Sequence, residues 1–191
     1  MQKVVAFNAS PRKDGNTSLM IKEVFKVLNQ NGIKTELVQI GNKPVHGCTA
    51  CGKCREIKDG KCHIKNELLN HCIEKMIEAD GIILGSPVYF ADVTTEMKAL
   101  IDVAGYVTRG NGNLLARKVG AGLVVQRRAG DLHALASMNN FFLINQMVIP
   151  GSSYWNIGFG KNPGDVLNDT EGMGVMQKLG ENMAWLLQKL Q

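Results

Sequence analysis

The sequence predicts a doubly wound α/β domain, a parallel sheet with helices on both faces. Three observations predict it. Five short apolar runs alternate with segments of helical periodicity. Several of those runs are almost continuously apolar, as strands buried on both faces are. The first run passes through a short polar loop straight into a helix, over Val4 to Ser18. With no internal repeat, low-complexity tract or linker, residues 1–191 read as a single domain.

The elements follow in order. After the first strand, Pro11, Asp14 and Gly15 break the run. Asn16, Thr17 or Ser18 then suits a helix cap, and Ile21, Val24, Phe25 and Leu28 form the apolar face of that helix. Gly32 closes it, and Ile33 to Ile40 is the second strand. Gly41 to Asn66 has little periodicity. Glu67 to Ala79 reads as a helix with Leu69, Cys72, Ile73 and Met76 on its buried side, and Gly81 to Gly85 as the third strand. The next helix buries Met97, Leu100, Ile101 and Ala104 and is capped by Asp92 or Thr94. Lys118 to Gln126 is the fourth strand and Asp131 to about Gln146 a further helix. Met147-Val148-Ile149 is the expected fifth strand. Ser152 to Thr170 reads as a long loop carrying Tyr154, Trp155 and Phe159, a candidate for subunit contact. The last helix starts near Asp169 or Thr170.

Composition sets bounds. Hydrophobic residues make up 45% of 191, ordinary for a globular protein. The net charge of +5 comes without aromatic–basic interleaving or a recognition motif, so no nucleic-acid partner is expected. No apolar run is long enough to span a bilayer, and no signal-like segment precedes the first strand. A cytoplasmic chain with no membrane partner is the expectation. Five cysteines in such a chain point to metal or redox chemistry before disulfides.

The first loop is equipped for an anion. A helix N-terminus offers unpaired N–H groups and the positive end of a dipole. Ser10, Asn16, Thr17 and Ser18 add hydroxyl or amide groups, and Arg12 adds a guanidinium. The glycine–lysine phosphate loop of nucleotidases is missing, and so is the G-x-G-x-x-G of dinucleotide folds, so a monophosphate fits best. In an open α/β sheet the ligand lies beyond the carboxyl ends of the strands, which brings in Ser86-Pro87-Val88-Tyr89-Phe90. There Tyr89 and Phe90 offer flat surface for a ring system; the alternative for either is core packing.

Ser10-Pro11-Arg12-x-x-Gly15-Asn16-Thr17 together with Gly85-Ser86-Pro87-Val88-Tyr89 resembles the flavodoxin-like NADPH-dependent FMN reductase superfamily. The resemblance implies strand order 2-1-3-4-5 and bound FMN. Ser10, Arg12, Asn16, Thr17 and Ser18 would hold the phosphate; Pro87, Val88, Tyr89 and Phe90 would meet the ribityl chain and the isoalloxazine. One stretch departs from the pattern. Many members have a glycine-rich loop after the fourth strand, where this chain has Gln126-Arg127-Arg128-Ala129-Gly130. Either arginine, facing the ring's N1–O2 edge, would stabilise a reduced anionic flavin; the alternative is an arginine in water.

Cys48-x2-Cys51-x2-Cys54-x7-Cys62 is the second signal, inside a loop at about 45–66. Three thiols at two-residue gaps plus a fourth suit a cubane iron–sulfur cluster. All-cysteine zinc and free thiols are the alternatives. His46 and His63 flank the run and read as loop residues; Cys72 reads as core packing. The run resembles that of the iron–sulfur flavoproteins of anaerobic microbes, which implies a [4Fe–4S] cluster on Cys48, Cys51, Cys54 and Cys62. It also implies a homodimer or homotetramer with cluster and flavin close across a subunit boundary. Lys43, Lys53, Arg55, Lys58, Lys61 and Lys65 outnumber Glu56 and Asp59 here, which suits four thiolates or the docking of an acidic donor such as ferredoxin.

The expected function is therefore FMN-dependent electron transfer between a ferredoxin-type donor, the cluster, FMN and a small acceptor. No residue stands out as a general acid or base, as expected when the cofactor carries the chemistry. The alternatives are an NAD(P)H-dependent FMN or quinone reductase without a cluster, and a zinc-stabilised binding or sensor module without turnover.

Overall fold

Side chains along β1 (Lys3–Asn8) alternate between two cores, as the period of a strand requires. Val5 and Phe7 enter one; Val4 and Ala6 enter the other. The computed structural model describes residues 1–64 and 66–190. Its sheet also contains β2 (Lys34–Gln39), β3 (Gly81–Pro87), β4 (Val119–Gln126) and β5 (Ile157–Phe159). The order is β2-β1-β3-β4-β5 with every pairing parallel, the expected doubly wound flavodoxin-like α/β arrangement.

Helices α1 (Asn16–Gln30) and α6 (Thr170–Lys189) cover one face. On the other lie α3 (Glu67–Glu78), α4 (Thr95–Gly110) and α5 (Asp131–Ile144). Gly120 and Gly122 of β4 point at α5. A Cβ on Gly120 would fall 2.6 Å from the Phe142 ring, and one on Gly122 3.2 Å from Leu135 and Met138. The missing side chains let α5 sit against the sheet. No described helix is long and apolar enough to cross a membrane.

Three sequence expectations change. The fifth strand is Ile157–Phe159, inside the stretch expected to be loop. Of Met147–Ile149, Val148 makes a single bridge to Val119, exchanging bonds with Lys118 and Gly120. Pro150 has no N–H to continue that ladder. The chain therefore leaves the edge of β4, carries the stacked Tyr154 and Trp155 out, and returns to pair with Val124–Gln126. Second, α1 is capped by Gly15, not by Asn16, Thr17 or Ser18, and no side chain caps it. Third, the cysteine loop contains a short helix, α2 (Lys53–Ile57), with Gly52 and Lys58 in the left-handed region at its two ends. The caps at Thr94 and Asp169 are as read, accepting from Met97 and Gly172.

Candidate functional site: a crevice at the strand ends and a cysteine loop

The loop after β1 is built from inside. Asn8 ends the strand, fully buried. Its Oδ1 accepts from the Ser10 N–H at 3.1 Å, and its Nδ2 donates to Gln39 Oε1 at 2.7 Å and to the Lys13 carbonyl at 3.3 Å. Gln39 in turn donates to the carbonyls of Ser10 and Gly41. Ser10 Oγ accepts from the Arg12 N–H at 3.2 Å. Gly41 lies so close to Ser10 that a Cβ there would meet the Ser10 carbonyl oxygen at 2.1 Å. None of Asn8, Gln39 or Gly41 is among the expected site residues. The readable signal was a lone amide closing an apolar run, which a buried strand tolerates only with partners.

This loop leads into a bare helix start. Gly15 brings no cap, and the first N–H groups of α1 have no intrahelical acceptor. Ser18 Oγ is fully buried with no partner. Thr17, next to it in sequence, and Ser10 are also buried. The Asn16 side chain is committed elsewhere: Nδ2 donates to the Asn162 carbonyl at 2.8 Å, and Oδ1 accepts from Gly164 and Val166. Arg12 is exposed and donates to the Lys161 carbonyl at 3.1 Å. Asn16 and Arg12 thus bind the loop after β5 to the loop after β1.

The loop after β3 closes the other side. Thr94 Oγ1 donates to the Ala9 carbonyl at 3.2 Å, and the Thr94 N–H donates to Ser86 Oγ. Between them Tyr89 and Asp92 exchange backbone bonds of 2.8 and 3.1 Å across a two-residue turn. Its central residues, Phe90 at φ 48° and Ala91 at φ 63°, are both left-handed, a costly conformation for residues with side chains. Three contacts hold it. Asp92 accepts from Val93 N–H and Ser137 Oγ. His133 stands 3.5 Å from its other oxygen. Gly130 packs against Ala91, where a Cβ would come within 2.7 Å. Burial works against the Asp92 charge, but the Val93 and Ser137 hydrogen bonds and the His133 and Lys98 cations hold its carboxyl below the ordinary value. The turn thrusts Phe90 fully into solvent, with Tyr89 half exposed, so neither aromatic is core. Pro87 and Val88 are half-buried. At the end of β4, Gln126 Oε1 is the second buried oxygen without a partner; Arg127 and Arg128 beyond it are exposed.

The cysteines form a second group. Cys48 and Cys51 are exposed, Cys62 half-buried, Cys54 buried, and all are free. The Ala50 N–H points at Cys48 Sγ, 3.4 Å away. Burial, and then the neighbouring Cys48, Cys62 and Cys51 thiols, push the Cys54 thiol up, so the four share one neighbourhood. Among the described residues no three histidine, cysteine or acidic side chains close into a metal site. Cys72 is fully buried on α3, and burial pushes its thiol up to about 12, in keeping with packing. Lys43, Lys53, Arg55, Lys58 and Lys61 are exposed; Lys65 lies outside the described residues.

A doubly wound sheet with an uncapped helix start at the first strand–helix turn and an exposed aromatic turn at the next strand end defines a flavodoxin-like protein. Comparison with known proteins narrows this. Residues 2–162 match the family described as NADPH-dependent FMN reductase. An iron–sulfur flavoprotein of Methanocaldococcus jannaschii is 37% identical over 189 residues, covering 95% of both chains. The iron–sulfur flavoprotein of Methanosarcina thermophila is 32% identical over 99% of this chain and 97% of its own. Among solved structures, a WrbA-like flavodoxin from Agrobacterium tumefaciens superposes with a TM-score of 0.68 at 13% identity, covering 100% of this chain and 99% of that one. The chain belongs to the NADPH-dependent FMN reductase family, together with the iron–sulfur flavoproteins, and is a flavin-dependent oxidoreductase.

Proposed function

We propose that the protein is an FMN-dependent electron-transfer oxidoreductase that also holds a [4Fe–4S] cluster on Cys48, Cys51, Cys54 and Cys62. On this reading it passes electrons from a ferredoxin-type donor to a small acceptor. When bound, FMN takes one or two electrons and the cluster one at a time, which couples the two kinds of chemistry. The observation that carries the reading is the pairing of a prepared crevice with four free thiols in one neighbourhood of the same chain.

The chain's own residues divide the work. The N–H groups of Asn16, Thr17 and Ser18 and the hydroxyls of Ser10, Thr17 and Ser18 seat the phosphate. The bare Gly15 cap and the orphaned Ser18 Oγ support this, since both lack a partner that an anion supplies. Arg12 closes the seat from outside. Asn16 contributes its backbone while its side chain holds the roof. Pro87, Val88, Tyr89 and the out-thrust Phe90 flank the ring and ribityl chain, and Gln126 Oε1 is an acceptor for a ring N–H.

The crevice meets α4 at its amino end, where Thr94 holds Ala9, and the Cys54 carbonyl bonds Asn111 just past its carboxyl end. The reading includes a homodimer or homotetramer in which the cluster loop of one copy faces the crevice of another. The exposed cations at Lys53, Lys58 and Lys61 suit an acidic donor protein.

A second reading, an NAD(P)H-dependent FMN or quinone reductase without a cluster, is favoured by one observation: the thiols do not close a metal site as they stand. Protein purified without oxygen and assayed for flavin, iron, acid-labile sulfide and zinc on one sample decides between them. FMN with about four irons and four sulfides per chain is the expected result. FMN without iron, with NADPH oxidised as fast after all four cysteines are replaced, establishes the second reading instead.

A further inference from the structure

We infer that Asn70 and Asn111 are positioning residues that hold the backbones of Cys62 and Cys54 in place before any cluster is bound. Cys48 and Cys51 are left to close over it. The inference rests on the cluster reading above.

A carboxamide carries both a donor and an acceptor, so it can pair with a peptide as another peptide would. Asn70 does this to Cys62. Its Oδ1 accepts from the Cys62 N–H at 2.8 Å, and its Nδ2 donates to the Cys62 carbonyl at 2.9 Å. Asn70 is on α3 between Leu69 and Cys72, both fully buried, so its own backbone is fixed by the core. Asn111 follows α4 and bridges two points of the loop. Its Oδ1 accepts from the Gly60 N–H at 3.0 Å, and its Nδ2 donates to the Cys54 carbonyl at 3.1 Å and to Val107 at 2.7 Å. Arg55, the next residue, lies over the Tyr106 ring at 4.4 Å. It fits there because Gly110 has no Cβ, which would meet Arg55 Cγ at 2.6 Å. Cys54 itself is buried.

The other half of the set is held differently. Cys48 and Cys51 are exposed, and their stretch is tied back through the His46 carbonyl, which accepts from Asn66 at 2.7 Å. Two ligands thus have their backbones tied to α3 and to the end of α4, and two lie on an outer arm. This explains how four thiols share a neighbourhood without three of them forming a closed shell. When a cluster binds, Cys54 and Cys62 would hold it from backbones already set, and Cys48 and Cys51 would complete the set. Each thiol would give up its proton to solvent as its S–Fe bond forms, with no cysteine oxidised.

Asn70→Ala and Asn111→Ala in the full chain test this, with Asn70→Asp and Asn111→Asp beside them. The aspartates keep the acceptor for the Cys62 or Gly60 N–H and lose the donor. Each apoprotein is reloaded anaerobically with ferrous and ferric iron in equal amounts and sulfide, which together make up the cubane without a further oxidant, and iron loss to a chelator is then timed. Partners of a metal's ligands typically contribute 10–100-fold. We expect the alanine variants to load about tenfold more slowly and lose iron about tenfold faster, with the aspartates between them and wild type. The EPR signal of the reduced cluster should shift, while FMN content and the melting temperature of the apoprotein stay as in wild type. Wild-type loading, loss and EPR signal in both alanine variants overturn the inference. So does iron loss that tracks a lowered apoprotein melting temperature with no rescue by aspartate, the mark of packing alone. A wild-type chain that takes up no cluster overturns the cluster reading itself, before any variant is made.

Discussion

The crevice and the cysteine loop are built in opposite ways. In the crevice, a buried and a half-buried amide and a buried threonine tie the carboxyl ends of β1, β2 and β3 into one frame: Asn8, Gln39 and Thr94 all bond across loops. What it lacks is partners for a few inward groups, Ser18 Oγ and Gln126 Oε1 among them. The cysteine loop has its reactive groups outside, two of four thiols exposed, and is stapled to the body by asparagines. On the proposed function, the crevice is a site finished before its ligand arrives, and the cysteine loop is one that its ligand would complete.

The largest effect that would break this contrast is expected at Gly41. Its position against Ser10 leaves no room for a methyl group, and the atom it would strike is backbone. Gly41→Ala is expected to cost about 3 kcal/mol or more by overpacking and to abolish flavin retention. Thermal melting and flavin content report both. A variant that melts and binds flavin as wild type would show that the frame yields, and that the crevice is no more rigid than the loop.

The next largest lies behind the loop, at Cys72. A free thiol ionises near 8.5, whereas this one is pushed up to about 12 by burial. Below the ordinary value both folded and unfolded chains keep the proton, and pH has no effect through this group. Above it the unfolded chain ionises and the folded one does not. Stability therefore falls by about 1.4 kcal/mol per pH unit, reaching about 3 kcal/mol near pH 10.5. Denaturant melts from pH 8 to 10.5 should show this slope, and Cys72→Ala should flatten it whatever its offset. An unchanged slope would mean that the platform carrying Asn70 is open to water.

Much of the fold was legible because period and punctuation agree over most elements: the apolar runs of β1 and β3, the caps at Thr94 and Asp169, the break at Pro150. The fifth strand was not legible. Ile157–Phe159 is three residues long with a glycine at its centre, and it is a strand only because β4 offers a free edge. Local sequence cannot report an edge supplied thirty residues away. The site divides the same way. Ser10, Thr17, Ser18 and the cysteines are candidates that residue type and spacing pick out. Asn8, Gln39, Asn70 and Asn111 do not, because an asparagine in a sequence says nothing of which carbonyl it will meet. Asn16 shows the cost: its type suited the anion seat, but its amide is spent on Asn162 and Gly164.

Ser18 tests the claim that the crevice is finished first. Its buried hydroxyl has no partner in the protein, so removing it should relieve a desolvation cost of about 1 kcal/mol. Ser18→Ala is expected to melt slightly higher than wild type when flavin-free, yet to bind FMN about tenfold more weakly, the loss of one hydrogen bond to a charged group. Fluorescence titration of the flavin-free protein against its melting curve gives both signs. Equal affinity would remove Ser18 from the seat.

The smallest effect is at Phe90, and it sharpens the contrast within the crevice itself. The phosphate side is relaxed, but the turn after β3 holds Phe90 and Ala91 both at positive φ, and Phe90 makes no core contact in return. Glycine adopts that conformation without steric cost, so Phe90→Gly should raise stability by up to about 1 kcal/mol. If the ring exists to meet the isoalloxazine, the same change lowers FMN affinity while leaving the stability of the flavin-free protein improved. A stabilised variant with unaltered FMN affinity would free Phe90 from the flavin and leave the strain to serve another contact. A destabilised variant would show that the turn is held by the Phe90 side chain and not by Asp92, Ser137 and Gly130.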